Sequence, residues 1–158
     1  MRNSIVGYGL PVTDDLVLRR QVCFALYAAS RALTDVYRPI LDEVGLTYPQ
    51  YLVLLVLWER EDAPTVSELG AALRLDSGTL SPLLKRLEAA GLVVRSRSAR
   101  DERRVEVGLT ADGRALRQRM DEVPLQVARA TGLTEAELIA LRDTLTRVTE
   151  TIHRQKEQ

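Results

Sequence analysis

Cys23 is the only thiol and His153 the only imidazole in the chain. One cysteine excludes an intrachain disulfide and any cysteine-based zinc cluster. A Ser-His-Asp or Cys-His arrangement would depend on His153, five residues from the C-terminal end, where chains fray. Enzyme readings that need histidine are therefore poor, and the chain is read as a non-enzyme with neither metal nor cofactor. Cys23 lies among Val22, Phe24, Ala25 and Leu26. Since free cysteine is among the most buried residue types, spacing alone favours an inert, buried thiol.

The second chemistry on offer is that of arginine and hydroxyl groups. The whole chain carries 22 basic and 22 acidic residues and no net charge. Yet Arg74 to Arg104 holds eight Lys/Arg against four Asp/Glu, a local excess of +4. Arg95 to Arg104 alone has five arginines and two acids. Affinity for phosphate follows the local patch that meets it, so net neutrality does not exclude nucleic acid.

The elements that must hold these groups can be read from caps and periodicity. At 158 residues, with 46% hydrophobic and 28% charged residues, the chain suits one domain. Its low aromatic content and abundance of Leu, Ala, Arg and Glu lean towards helix. The first dozen residues, with Gly7, Gly9 and Pro11, read as a loose arm. Asp14 or Asp15 then caps a long helix to about Asp42, with Pro39 kinking or closing its end and Gly45 ending the segment. Thr47-Tyr48-Pro49-Gln50 is a capping box before the apolar helix Tyr51 to Trp58. That run is the longest apolar one and far too short to span a bilayer. With no signal peptide visible, a cytoplasmic, membrane-free protein is expected.

Thr65-Val66-Ser67-Glu68 opens a short helix to about Leu73, Arg74 and Leu75 turn the chain, and Asp76 caps a further helix to about Ala90, stopped by Gly91. Two helices joined by so short a turn form a helix-turn-helix. Leu92 to Arg95 and Val105 to Leu109 alternate like half-buried strands around the polar tip Ser96 to Arg104, which makes a hairpin, or wing. Thr110 to about Ala130 is helical, interrupted by Pro124. Thr134 to Glu137 then caps a last helix whose Leu138, Leu141, Leu145, Val148 and Ile152 form one stripe. The stripe suits a partner helix or burial within the chain equally well. The fold class is thus mainly α with a small β wing, a winged helix-turn-helix.

In such a fold the second helix presents its N-terminal residues to base edges in the major groove. Here these are Asp76, Ser77, Thr79 and Ser81, short polar groups that permit close approach, followed by Lys85 and Arg86 within reach of phosphates or guanine. Leu80, Leu83, Leu84 and Leu87 supply the inward face, and Pro82 is expected to bend the helix locally. On the wing, Arg97, Asp101, Arg103 and Arg104 are the candidates, with Asp101 ordering a neighbouring arginine and Arg103 entering the minor groove. Purely local pairing of Asp101 is the competing reading.

Over residues 14 to 155 the layout resembles the MarR family of dimeric winged-helix regulators, through Asp101-Glu102-Arg103-Arg104-Val105 and Leu109-Thr110-Ala111-Asp112-Gly113. Within that family it is similar to the OhrR group of organic-hydroperoxide sensors. The supporting segments are Cys23-Phe24-Ala25-Leu26-Tyr27, Thr47-Tyr48-Pro49-Gln50-Tyr51, and Leu75 to Leu80 with Pro82 and Leu83-Leu84-Lys85-Arg86. The resemblance implies a single MarR-type domain over 1–158, with 14–46 and 110–158 dimerising and 47–109 binding DNA. It implies a homodimer on a pseudo-palindromic operator in double-stranded DNA, acting as a repressor. It makes Cys23 the peroxide-reactive thiol, with Tyr27, Tyr37 and Tyr48 around it. Lacking a second cysteine, the chain is similar to the single-cysteine type, whose oxidised thiol ends as a mixed disulfide with a small thiol or over-oxidises.

A thiolate is the nucleophile, and a free cysteine has a pKa of ~8.5, so the anion needs stabilising. With no histidine available, tyrosine hydroxyls are the donors at hand. Tyr27 shares a helix face with Cys23 at i+4. Arg19 and Arg20, read on the same helix, do not share that face. Tyr37 lies fourteen residues further on, about 21 Å along a straight helix. If that helix is continuous and both belong to one site, Tyr37 comes from the other subunit. Three alternatives stay open: a MarR-type regulator of a small aromatic ligand with Cys23 structural, a thiol peroxidase, and an architectural DNA protein.

Overall fold

The computed structural model describes residues 17–98, 101 and 103–156. A 3-10 turn, Leu18–Arg20, precedes helix α1, Val22–Asp42. Then follow α2 (Tyr48–Glu59), α3 (Val66–Leu73), α4 (Ser77–Ala89), strands β1 (Val93–Arg97) and β2 (Val105–Leu109), α5 (Ala111–Arg119), α6 (Val123–Thr131) and α7 (Glu135–Lys156). The mainly helical chain with one antiparallel two-stranded sheet agrees with the expected class, Val93 pairing with Leu109 and Arg97 with Val105.

Local chemistry sets most boundaries. At Thr65 the capping box closes in both directions, while at Thr47 the Gln50 side chain accepts from the Thr47 N–H and hydroxyl. Glu68 accepts from the Thr65 N–H at 2.7 Å and hydroxyl at 2.8 Å, and the Thr65 hydroxyl oxygen accepts from the Glu68 N–H at 3.3 Å. Thr134 and Glu137 repeat this at α7. Each such cap satisfies backbone donors that a helix start otherwise leaves unpaired. Between α3 and α4 the chain reverses at Arg74, a non-glycine residue in the left-handed region with φ 55°, a conformation costing about 1–2 kcal/mol.

The core gathers around α2, the central helix. Tyr51, Val53, Leu54 and Leu57 of α2 meet Leu69 of α3 and Leu80, Leu84 and Leu87 of α4, all buried. Leu80, Leu84 and Leu87 follow i, i+4, i+7, so α4 turns one face inward and shows the other to solvent. Val93 and Val107 seat the wing on this core. Close approach fixes Gly113 of α5, where a Cβ would collide with the Leu92 carbonyl oxygen. The Gly113 carbonyl in turn accepts from the Trp58 indole N–H at 2.8 Å.

Several expectations are corrected. The long helix begins at Val22, so Arg19 and Arg20 belong to the preceding turn and not to the helix. The proposed caps Asp14 and Asp15 and the glycine-rich arm lie outside the described residues. The far end of α1 at Asp42 agrees with the expectation, and Pro39 lies inside the helix. Helix α2 starts at Tyr48, because Pro49 fits the first turn, where its missing N–H has no intrahelical partner to lose. Residues 120–122, ahead of Pro124, divide the 110–130 segment, and Pro124 sits in the first turn of α6 for the same reason.

The two terminal helices differ from this head. Only the last third of α1, through Val36, Tyr37, Ile40 and Leu41, packs on the core. Upstream, Val22 (72%), Phe24 (39%) and Tyr27 (57%) are exposed. Among the described residues of α7 none is buried, and Leu141, Val148 and Ile152 of its stripe are exposed. Among the described residues no helix is long and apolar enough to cross a membrane.

Candidate nucleic-acid interface and cysteine site

Helix α4 carries the expected reading surface, and its first turn is built by its own side chains. The Asp76 carboxylate accepts from the Thr79 N–H at 2.9 Å and the Thr79 hydroxyl at 3.0 Å. These bonds, the backbone one foremost, hold Asp76 below the usual carboxylate range. Ser81 donates to the Ser77 carbonyl at 2.7 Å. Asp76 is thus primarily the helix cap, and the hydroxyl protons of Thr79 and Ser81 are used locally. Ser77, Thr79, Lys85 and Arg86 are exposed and Ser81 is half-buried. The α4 backbone stays helical through Pro82.

The wing continues this surface. Arg97 ends β1 in solvent, and Asp101 and Arg103 are exposed. Asp101 does order its neighbour, but through the backbone. Its carboxylate accepts from the Arg103 N–H at 3.0 Å and its carbonyl from the Arg104 N–H at 2.9 Å. Ala99, Arg100 and Glu102 of the tip lie outside the described residues. Arg104, expected to face DNA, turns towards the start of α3. Its guanidinium lies 3.6 Å from the Glu68 carboxylate and donates to the Thr65 hydroxyl at 3.4 Å.

Two acids complete the wing's attachment, one of them without a role in the sequence reading. Glu88, in the last turn of α4, takes two hydrogen bonds from the Arg95 guanidinium, at 2.5 and 3.0 Å, and one from its N–H at 3.3 Å. The arginine holds this carboxyl below its usual range. Glu68, read only as a cap, is held low by its Thr65 hydrogen bonds first, with Arg104 assisting. The available signal for Glu88 was its position one turn before the Gly91 reversal, which folds β1 back past the end of α4.

The cysteine region divides into two groups along α1. Cys23 is a free, exposed thiol, so within this chain the expectation of a buried thiol does not hold. Tyr27 is also exposed, and its phenol oxygen accepts from Arg31 at 3.0 Å. At the other end of α1, the Tyr37 ring packs tilted against Tyr48, with centroids 4.7 Å apart, and against Tyr51 at 5.7 Å. Burial, with Tyr48 and Tyr51 adding to it, pushes the Tyr37 phenol up to about 12. Burial also raises Tyr48, and it raises Tyr51 with help from Tyr48. At neutral pH all three are therefore protonated donors.

The structure thus brings Tyr37 and Tyr48 together, adds Tyr51, and sets Cys23 with Tyr27 on a separate stretch of the same unbroken helix. Tyr51 was missed because its apolar neighbours made it read as core alone. A cavity of ≈ 290 Å³ opens beside Tyr48, lined also by Thr34, Arg38 and Leu41. Among the described residues no group of three or more His, Cys, Asp or Glu could hold a metal ion.

Known proteins are similar to this chain in sequence and fold. The family described as transcriptional regulator SarA/Rot matches residues 35–120. The organic hydroperoxide resistance transcriptional regulator of Bacillus subtilis is 45% identical over 140 residues, 89% of this chain and 95% of that protein. The HTH-type transcriptional regulator TtmR of Methylorubrum extorquens is 51% identical over 140 residues, 89% of this chain and 71% of that one. Among solved structures, reduced AbfR bound to DNA, a protein known from Staphylococcus epidermidis, is similar at 36% identity and a TM-score of 0.68, over 85% of this chain and 94% of its own.

Proposed function

The chain belongs to the MarR/SarA-type winged-helix regulators, and from that premise we propose that it is a homodimeric repressor that senses organic hydroperoxides through Cys23 and then releases its operator. It is a DNA-binding transcriptional regulator of the OhrR type. The observation that carries the redox reading is the layout of α1. An exposed thiol stands near one end of a continuous helix, and a cluster of protonated phenols stands near the other. Two copies of α1 packed antiparallel would bring each Cys23 to the tyrosines of the other chain. The exposed apolar faces of α1 and α7 supply the surface such a dimer would bury.

In the reduced state, Tyr37 and Tyr48 of one chain donate hydrogen bonds to the thiolate of the other, with Tyr27 donating from the same face. The thiolate sulfur attacks one peroxide oxygen, an S–O bond forms as the O–O bond breaks, and the departing alkoxide takes a proton and leaves as alcohol. Sulfur loses two electrons and the peroxide gains them. A small thiol then attacks the sulfenic acid, giving a mixed disulfide and water. The adduct no longer fits between the phenols, so the helices shift. The two α4 helices lose the spacing of one DNA turn, on the order of 34 Å, that a half-site pair demands. DNA is met by Ser77, Thr79, Ser81, Lys85 and Arg86 of α4 and by Arg97 and Arg103 of the wing, while Asp76, Asp101 and Arg104 hold those elements in shape.

A gel-shift titration on DNA from upstream of a neighbouring gene, at fixed salt and with a small thiol present, tests this. Organic hydroperoxide is expected to weaken wild-type binding by more than about a hundredfold, roughly 3–4 kcal/mol, and to leave Cys23→Ser bound. Release of the Cys23→Ser protein by peroxide would overturn the redox reading and leave DNA binding intact.

A further inference from the structure

We propose that two ion pairs, Glu88–Arg95 and Glu68–Arg104, lock the wing to the helix-turn-helix so that recognition helix and wing meet DNA as one rigid body. The inference rests on the chain's DNA binding through α4 and the wing and is independent of the redox chemistry of Cys23.

A two-stranded hairpin alone is marginal in water, and a wing held only by its strand ends would swing about its base. Three attachments prevent this. On the α4 side, the Glu88 carboxylate grips Arg95 by guanidinium and backbone together. Two guanidinium nitrogens converge on one carboxylate oxygen while the backbone N–H reaches the other, so three donors fix orientation as well as distance. On the α3 side, the Val107 N–H donates to the Pro64 carbonyl at 2.8 Å, and Thr65 bridges to Glu106, so the residues before α3 pair with β2. Beyond that bridge, Arg104 reaches Glu68 and Thr65. Glu68 thereby serves both the cap of α3 and the far side of the wing. Arg103, the arginine next to Arg104 on the wing, is aimed by a segment anchored at both ends. The recognition helix itself carries the first anchor, Glu88, and the second lies on α3.

Surface ion pairs contribute little to stability, and neither pair is buried. Their effect is on aim. This separates the proposal from an electrostatic one, since removing an acid beside a DNA-binding surface should by itself strengthen binding to phosphate. A loss of affinity on neutralising Glu88 or Glu68 therefore reports lost positioning.

The test uses Glu88→Gln, Glu68→Gln and the exchange Glu88→Arg with Arg95→Glu in the full-length chain. Glutamine keeps a hydrogen-bond acceptor at both sites and preserves the capping box at α3. Operator affinity, hydroxyl-radical footprint and thermal midpoint would be measured for the reduced proteins. The expected result is an affinity about tenfold lower for each glutamine variant. Protection should fade at the sugars flanking each half-site, where the wing would lie, and persist at those beside the recognition helix, with a nearly unchanged melting point. The exchange variant should recover most of the loss. Unchanged or increased affinity with the wild-type footprint would overturn the proposal. So would parallel loss of both protections together with a lowered melting point, which would mark a purely structural role. A wild-type protein that gives no footprint would instead count against the DNA-binding surface itself.

Discussion

The helix-turn-helix head and the terminal helices are built from the same residue types and reach opposite states in one chain. In the head, α2 is surrounded, and Leu54, Leu69, Leu80 and Leu87 are fully withdrawn from water. In α7, apolar residues at equally regular spacing, Leu141, Val148 and Ile152, stand in solvent, and α1 shows the same over its first half. The head is complete within one chain. The terminal helices leave their apolar faces exposed, and under the proposed function the candidate sensor, Cys23, lies in that part, where a second chain would cover it. On the proposed reading, a reactive group placed there would act on the relation between two heads without disturbing either.

The contrast can be broken by mutation, beginning with the head. Leu54→Ala should cost about 2–5 kcal/mol through lost burial and the cavity left behind, lowering the unfolding midpoint in urea at any protein concentration. Leu141→Asp should leave the head's unfolding cooperative and weaken self-association by at least about a hundredfold. Sedimentation would then find the mass of one chain where wild type gives that of two. A Leu141→Asp protein that stays dimeric would remove α7 from the interface.

A third test concerns the phenols joining the two regions. The Tyr37 phenol is raised from 10.0 to about 12 in the folded chain. The unfolded state therefore loses its proton first as pH rises. The stability linked to this group is whole below pH 10 and lost between about 10 and 12, a change on the order of 1–2 kcal/mol after solvent screening. Tyr37→Phe should flatten that part of the stability curve and delete the last step of an alkaline absorbance titration. An unchanged titration would show that Tyr37 is not the group held highest. Smallest of all, Thr65→Ala should cost about 1 kcal/mol through the lost cap, seen as a slightly lower melting point with dimerisation unaltered.

What was legible in the sequence follows the same division. The caps at Thr47, Thr65, Asp76 and Thr134 and the stop at Gly91 were readable because each depends on residues within four positions of one another. The start of α1 and the break at 120–122 were not, since no cap residue marks Gln21 or Glu122 and packing decides there. Cys23 and Tyr27 were correctly placed on one face, but periodicity cannot tell a face that meets its own chain from one that meets another. Arg104 was read as one of the wing's candidates for DNA. Its engagement with Glu68 spans thirty-six positions, and only the folded hairpin brings the two together. Glu88 was not singled out for a related reason, since its partner Arg95 lies seven positions on and only the Gly91 reversal brings the two together.

The claim that the sensor is assembled from two chains is tested most directly by mixing subunits. Tyr37→Phe alone should slow Cys23 oxidation about tenfold, the effect of roughly one hydrogen bond. A heterodimer would pair one Tyr37→Phe chain with one Cys23→Ser chain, tagged differently and purified as a mixed species. Its single remaining Cys23 belongs to the chain that bears the Tyr37→Phe substitution. If the phenol comes from the partner, that thiol still faces an intact Tyr37 and should react with organic hydroperoxide at the wild-type rate. A rate equal to that of the Tyr37→Phe homodimer would contradict the account, because the phenol would then act within its own chain or not at all.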